Sequence, residues 1–93
     1  MSFQLVLQSE AVIDIQQAFE WYEGQKPGLG YEFITEVEEG FEKICDHPLH
    51  YAAINVRFRR LKISRFPYLI VYEIENFTVL VVAIKHSSKK STF

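Results

Sequence analysis

Apolar residues in the first half of the chain recur at the spacing of an α-helix. Within residues 9–24 the apolar positions are Ala11, Ile15, Ala18, Phe19 and Tyr22. Their offsets place these side chains along one side of a helix with 3.6 residues per turn. Ser9 is suited to the N-cap, and Pro27 with Gly28 ends the element. The pattern predicts an amphipathic helix over residues 9–24.

A second stretch repeats the same offsets and predicts a second helix, over residues 29–46. Its apolar positions are Phe33, Val37, Gly40, Phe41 and Ile44, and it stops before Pro48. The short connection predicts that the two helices form an antiparallel hairpin. The Gly28-Leu29-Gly30 segment lacks the features of a phosphate-binding loop and is interpreted as the turn that opens the second helix.

The remaining segments show the patterns of β-strands. Residues 3–7 and 56–64 alternate in polarity, while 68–74 and 77–85 are rich in β-branched and aromatic residues. Glu75-Asn76 suits a tight turn between the last two strands. These patterns predict an α+β fold of order β-α-α-β-β-β. We expect an antiparallel sheet with the helical hairpin packed on one face; the place of the first strand in the sheet stays open.

Two of the predicted strands are apolar on both faces. Leu69–Val71 and Val79–Ala83 contain no alternation, although a half-exposed antiparallel strand normally alternates. The helical hairpin covers only one face of the sheet. The other face is therefore covered either by the curvature of the sheet over its own residues or by a partner.

Length and composition indicate one folded domain spanning residues 1–93. The chain is 48% hydrophobic and 24% charged, and no apolar run reaches the roughly 20 residues of a membrane span. The N-terminal residues lack the pattern of a signal peptide, and Cys45 is the only cysteine, so a cytoplasmic protein is expected. Residues 87–93 are polar and basic and are predicted to form a mobile tail.

The net charge of −2 hides an uneven distribution. Residues 1–50 carry two lysines against ten acids, for a charge of −8, whereas residues 51–93 carry eight cations against two acids, for a charge of +6. A basic half of this kind indicates a surface for a polyanion or an acidic partner. Alternatively, the two halves neutralise each other across the fold.

A metal site is the first chemistry suggested by the cysteine and the histidines. The candidate ligands are Cys45, His47, His50 and His86. Their spacing fits none of the paired-ligand patterns of zinc sites. We therefore expect neither a metal nor a cofactor.

Basic residues of the second half form the strongest candidate site. The cations are Arg57, Arg59, Arg60, Lys62, Arg65, Lys85, Lys89 and Lys90, with His86 at the end of the last strand. In an antiparallel meander several of them converge on one side of the sheet, where they suit phosphate binding while Tyr68 or Tyr72 stacks on bases. The alternative is scattered solubilising charge beside one exposed histidine.

With these features in place, the chain resembles the RelE/ParE superfamily of toxins from bacterial type II toxin–antitoxin systems, a plasmid-stabilisation type. The matching pieces are Ser9-Glu10-Ala11, Asp14-Ile15, Trp21-Tyr22, Pro27-Gly28-Leu29-Gly30 with Phe33, Pro48 and Tyr51, Arg59-Arg60-Leu61, Arg65-Phe66-Pro67-Tyr68 with Ile70 and Tyr72, and Val82-Ala83-Ile84 with His86. The resemblance implies a small toxin neutralised by an antitoxin encoded beside it. Some relatives cleave mRNA on the ribosome, and others poison DNA gyrase.

The resemblance leaves the target open. Ribonuclease relatives often carry an arginine directly after the position of Tyr68, where this chain has Leu69. If the chain cleaves RNA, His86 is the acid or base, and Arg60, Arg65 and Lys89 hold the phosphate. The residues expected to contact antitoxin or target are Arg57, Arg59, Lys62, Tyr68, Tyr72 and Lys85. A rival interpretation is an interaction domain of the same fold that has lost its toxicity.

Overall fold

The elements follow one another in the predicted order. A computed structural model describes residues 3–88. The strands and helices are β1 (Gln4–Leu7), α1 (Ser9–Gln25), α2 (Leu29–Asp46), β2 (Arg59–Lys62), β3 (Tyr68–Glu75) and β4 (Thr78–His86). The β-α-α-β-β-β prediction is thereby confirmed. Of the predicted tail, residues 89–93 lie outside the described part of the chain.

The four strands form one mixed sheet of order β1-β4-β3-β2. Strands β2, β3 and β4 are antiparallel neighbours, as predicted. Strand β1 lies parallel to β4, with Gln4 opposite Thr78 and Leu7 opposite Val81. A parallel pair needs a long crossover connection, because the chain must return to the same end of the sheet. The helical hairpin, followed by β2 and β3, provides this return, and only the three C-terminal strands are antiparallel.

The helical hairpin covers one face of the sheet, which confirms the predicted packing. All five apolar positions of α2 are buried, and Ala11 and Ala18 are buried on α1. They form one cluster with residues of the sheet, including Ile70, Tyr72, Val79, Val81 and Ile84. Among residues 3–88, no helix is long and apolar enough to cross a membrane.

The turn between the helices is fixed by one carboxylate. Glu23 of α1 accepts hydrogen bonds from the backbone N–H groups of Gly28 and Gly30, each at 2.9 Å. Gly28 has a φ of 92°, a left-handed conformation that favours glycine. At the other end of α1 the predicted cap is wrong: the helix begins at Ser9, and Gln8 precedes it without a side-chain cap.

Removing this carboxylate is expected to destabilise the protein measurably. Glu23→Ala leaves two N–H groups at the start of α2 without their acceptor, and we expect a loss of about 1–2 kcal/mol in unfolding free energy. Denaturation in urea measures the change. Glu20→Ala, an exposed position of the same helix, is the matched control and should stay within about 0.5 kcal/mol of the parent.

A β-bulge shifts the alternation of β4, whose apolar residues lie on both faces of the sheet. Val71 lies opposite Ala83, and Tyr72 lies opposite Val81, so Val82 is an extra residue in β4. The extra residue reverses the alternation beyond it. As a result, Val81 and Ile84 both belong to the cluster under the helices, while Val82 and Ala83 belong to a second cluster with Val71.

The second cluster is covered in part by the chain itself. Ile54 and Phe58, from the connection between α2 and β2, pack against it. Asn55 holds this connection in a turn, because its side-chain oxygen accepts hydrogen bonds from the N–H groups of Arg57 and Phe58 at 2.9 and 2.8 Å. This turn is also why β2 starts at Arg59, three residues later than predicted.

Candidate functional site

Three cations lie together on the face of the sheet that the helices leave free. Lys62, Leu69 and Lys85 are directly opposite one another across β2, β3 and β4, and Arg60 lies two residues from Lys62. A hollow of about 470 Å³, lined among others by Tyr51, Arg60, Lys62 and Leu69, lies beside them. We refer to Arg60, Lys62 and Lys85 around Leu69 as the basic face. The meander thus brings these three predicted residues together.

The charge of the basic face is not neutralised by the acidic half of the chain. Within residues 3–88, ion pairs join Arg57 to Glu73 and Arg65 to Glu32, both at 2.6 Å. The second pair alone links the acidic half to the basic half in this part of the chain. The halves therefore neutralise each other only locally, and the cations of the basic face stay available to a partner.

Arg57 and Arg59, predicted to contact a partner, tie the connection between α2 and β2 to the sheet. Arg57 donates a hydrogen bond to Glu73, which raises the pKa of the guanidinium above its usual value. Arg59 donates to the backbone oxygen of Tyr51 at 2.7 Å. Both arginines are thus engaged in holding the fold.

The residues predicted for RNA cleavage lie in separate places. His86 ends β4 on the side of the helices, where its ring meets Tyr68 at a centroid distance of 5.2 Å. Arg65 lies in the β2–β3 connection, paired with Glu32, whereas Arg60 is on the basic face. Lys89 is outside the described residues. The described part of the chain therefore does not bring His86 and the two arginines to a common point.

The Nδ1 atom of His86 contacts Ser88, two residues further along the chain. This atom accepts a hydrogen bond from the N–H of Ser88 at 3.2 Å and lies 2.7 Å from the Ser88 hydroxyl. The contact with the Ser88 N–H suits the neutral tautomer that carries its proton on Nε2.

The prediction that Tyr72 contacts a partner is wrong, because this residue lies in the core. Its side chain is fully buried, and its hydroxyl donates to the backbone oxygen of Pro48 at 2.6 Å. Burial raises its pKa to about 12. Tyr68 is half-buried beside Tyr22 and Phe33, and burial and the charge of Asp14 raise its pKa. Tyr68 keeps an accessible edge, whereas Tyr72 offers no surface to a partner.

Because the hydroxyl of Tyr72 is buried, we expect the stability of the protein to depend on pH. An unfolded tyrosine loses its proton near pH 10, and Tyr72 in the folded chain only near 12, so stability falls as the pH rises through this window. At neutral pH, Tyr72→Phe should lower the free energy of unfolding by about 1–2 kcal/mol, because the hydrogen bond to Pro48 is lost. The difference between parent and variant should shrink above pH 10 and reverse its sign by pH 12. Parallel urea denaturation of both proteins measures it, and a pH-independent difference would contradict the assignment.

A second concave site lies between α1 and the end of β4. Strand β1 pairs with β4 only as far as Val81, and beyond it α1 takes the place of a neighbouring strand. Asp14 closes this open edge by accepting a hydrogen bond from the N–H of Ile84 at 3.0 Å. The resulting groove of about 380 Å³ is lined by Asp14, Gln17, Ala18, Trp21, Tyr68, Ile84, Lys85 and His86.

This groove was not predicted from the sequence. Asp14, Gln17 and Trp21 come from α1, and no local pattern places them against the last strand. One available indication was Trp21, a large aromatic residue that lies off the apolar side of α1 and is 63% exposed. Cys45 is half-buried, and burial raises the pKa of its thiol. Among the described residues, no group of three histidine, cysteine or acidic side chains is placed to hold a metal.

Solved structures with the same fold include chains from bacterial toxin–antitoxin systems. The chain is similar to a chain of the chromosomal ParDE system from P. aeruginosa, with a TM-score of 0.80 and 13% identity over 91% of this chain and 96% of that one. It is also similar to a chain of the RelBE2 toxin–antitoxin complex from Mycobacterium tuberculosis, with a TM-score of 0.63 and 17% identity over 92% and 99% of the two chains. A mutant of the E. coli toxin RelE in the free state gives a TM-score of 0.59 and 11% identity over 95% and 86%. At these identities the likeness establishes a shared fold.

The family is established by the sequence itself. No curated protein sequence matches the chain significantly. The family model described as the ParE toxin of the type II toxin–antitoxin system parDE matches residues 5–90, nearly the whole chain. This chain therefore belongs to the ParE toxin family of type II toxin–antitoxin systems.

Proposed function

We propose that this protein is a toxin that arrests bacterial growth and is neutralised by an antitoxin encoded beside it. The family match over residues 5–90 is the observation that carries this function. The similar structure from Mycobacterium tuberculosis is described as a toxin–antitoxin complex, which supports an antitoxin as the partner.

Growth arrest through DNA gyrase, a protein target, fits the geometry better than mRNA cleavage. Cleavage without a metal requires an acid–base group and cations around one phosphate. Here His86 and Arg60 lie on opposite sides of the sheet, and Arg65 is paired with Glu32. In addition, Leu69 occupies the centre of the basic face, where ribonuclease relatives often have an arginine. Blocking a protein requires binding area instead, which the basic face offers.

The two targets predict different results for His86→Gln. Losing a positioned acid–base group costs about 10²–10⁴-fold in rate, so this variant of a nuclease would no longer arrest growth. For a gyrase inhibitor we expect growth arrest by His86→Gln close to that by the parent. The purified protein should inhibit supercoiling by gyrase and leave ribosome-bound mRNA intact.

The opposite pattern would overturn gyrase as the target. Cleaved mRNA together with a folded, harmless His86→Gln variant would identify a nuclease. Unaffected growth on overexpression of the parent would favour the rival function, an interaction domain without toxicity. Co-expression of the neighbouring open reading frame is the control, since an antitoxin should restore growth.

The antitoxin is expected to bind the side of the sheet that carries the basic face. Cations that form no ion pair within residues 3–88 lie there next to the half-buried Leu69 and Leu80, so an acidic amphipathic segment matches both charge and apolar surface. Amide exchange should show added protection on binding between residues 57 and 85. Protection confined to the outer surface of α1 and α2 would contradict this placement.

A further inference from the structure

The groove between α1 and the end of β4 shares Lys85 with the basic face, and its other residues take no part in the binding proposed above. Its lining combines polar side chains with the buried apolar residues Ala18 and Ile84. Three aromatic rings, those of Trp21, Tyr68 and His86, also belong to the lining. Flat rings prefer to pack on other flat rings in offset or edge-on arrangements. The shape and lining of the groove therefore suit a planar aromatic ligand.

Trp21 is the ring most available to such a ligand. Its side chain is 63% exposed, while Tyr68 and His86 are half-buried and already pack against each other. An exposed indole in the lining of a concave site offers a face on which a flat ligand can stack, and base–aromatic stacking of this kind needs no particular sequence. A ligand lying on Trp21 is thus in reach of the remaining groups of the groove.

The polar groups of the groove favour a ligand that donates hydrogen bonds at one end. The carboxylate of Asp14 accepts one hydrogen bond, from Ile84, and has further lone pairs free for donors. Gln17 is exposed and has both an acceptor and two donors. Lys85 adds one positive charge to the lining. A purine base has the required flat ring and amino or imino donors, and a phosphate attached to it would be attracted to Lys85.

We propose that this groove binds an unpaired purine base, carried by a nucleotide or by single-stranded nucleic acid. The base stacks on Trp21 and donates a hydrogen bond to Asp14. Recognition of an unpaired base by stacking and by hydrogen bonds to its edge is the usual mode for single strands. This binding is a property of the isolated chain and does not depend on gyrase being the target of the toxin.

The groove contains its own spectroscopic probe, because Trp21 is the only tryptophan in the sequence. Guanosine and adenosine 5′-monophosphates should quench its fluorescence in a saturable manner. Ribose 5-phosphate has the same phosphate without the base and should not. A short purine-rich single-stranded DNA identifies the source: tighter binding than the mononucleotide indicates nucleic acid, and equal binding indicates the free nucleotide.

Variants of two exposed aromatic residues locate the site. Trp21→Ala should weaken guanosine monophosphate binding, measured by calorimetry, by about 5- to 150-fold, the usual contribution of one stacked base. Trp21→Phe keeps a ring and should retain most of the affinity. Tyr31→Ala is the matched control, since Tyr31 is 65% exposed and lies outside the groove.

Three results would each overturn the assignment. The first is fluorescence that neither purine nucleotide changes. The second is an equal response to ribose 5-phosphate, which would mean that the protein binds only the phosphate. The third is a folded Trp21→Ala variant with undiminished affinity, which would place the base elsewhere on the molecule.

Discussion

Phe33→Ala is expected to destabilise the protein by about 3–5 kcal/mol, the usual cost of truncating a buried phenylalanine. Phe33 is fully buried in α2, and its ring lies 5.2–5.5 Å from the rings of Tyr22, Phe66 and Tyr68. These rings come from α1, from the β2–β3 connection and from β3, so a cavity here loosens three elements at once. Small domains have a free energy of unfolding of only about 5–15 kcal/mol, so the variant should be close to unfolding at physiological temperature.

Thermal denaturation followed by circular dichroism measures this effect. At about 4–8 °C per kcal/mol for a chain of this size, the melting temperature should fall by at least about 12 °C. Tyr31→Ala, two residues earlier in the same helix, is the control, and its exposed ring should cost much less. Equal losses in the two variants would show that Phe33 is not at the centre of the core.

Reversing two charges of the basic face should abolish most of the affinity for the antitoxin. Lys62→Glu/Lys85→Glu replaces two cations that flank Leu69 with two acids. Like charges facing each other across an interface cost several kcal/mol, which corresponds to roughly a 10²–10³-fold weaker complex. Both residues are on the surface of the sheet, so the fold should survive the change.

Reversing two lysines elsewhere on the protein distinguishes the effect of charge at the basic face from the effect of the overall net charge. Lys26→Glu/Lys43→Glu changes the net charge of the protein by the same amount, but at the hairpin turn and at the end of α2. Surface plasmon resonance with the purified antitoxin should show near-parental affinity for this control. Equal weakening of the two doubles would point to net charge and against a defined binding face.

Local sequence patterns were sufficient for the elements whose partners are near in the chain. The apolar face of α2 was predicted residue by residue, because a regular helix projects every third or fourth side chain to the same side. The position of β1 was not predictable, since it depends on a parallel pairing with β4 some seventy residues away. Likewise, the short β2 results from the Asn55 turn, in which a side chain takes backbone donors that a strand would otherwise use.

The site was predicted in part, and the bulge at Val82 accounts for much of the difference. Strict alternation from Val81 would place His86 on the helix-free face, together with Arg60 and Lys62. The extra residue reverses the faces of the sheet on which the last two side chains of β4 lie. Lys85 therefore belongs to the basic face, and His86 lies on the side of α1. A single inserted residue thus separates the histidine from the arginine it was expected to assist. The residue types around Val82 do not predict the bulge.

The topology also decides when the protein can fold during its synthesis. Strand β4 is synthesised after the other three strands, yet it lies between β1 and β3 and contacts α1. Until β4 leaves the ribosome, β1 has no neighbour and the helical hairpin lacks much of the surface on which it packs. A chain that terminates early therefore keeps its apolar faces exposed and is a substrate for proteases. The four-stranded sheet and the cluster under the helices can therefore form only after β4 has been synthesised.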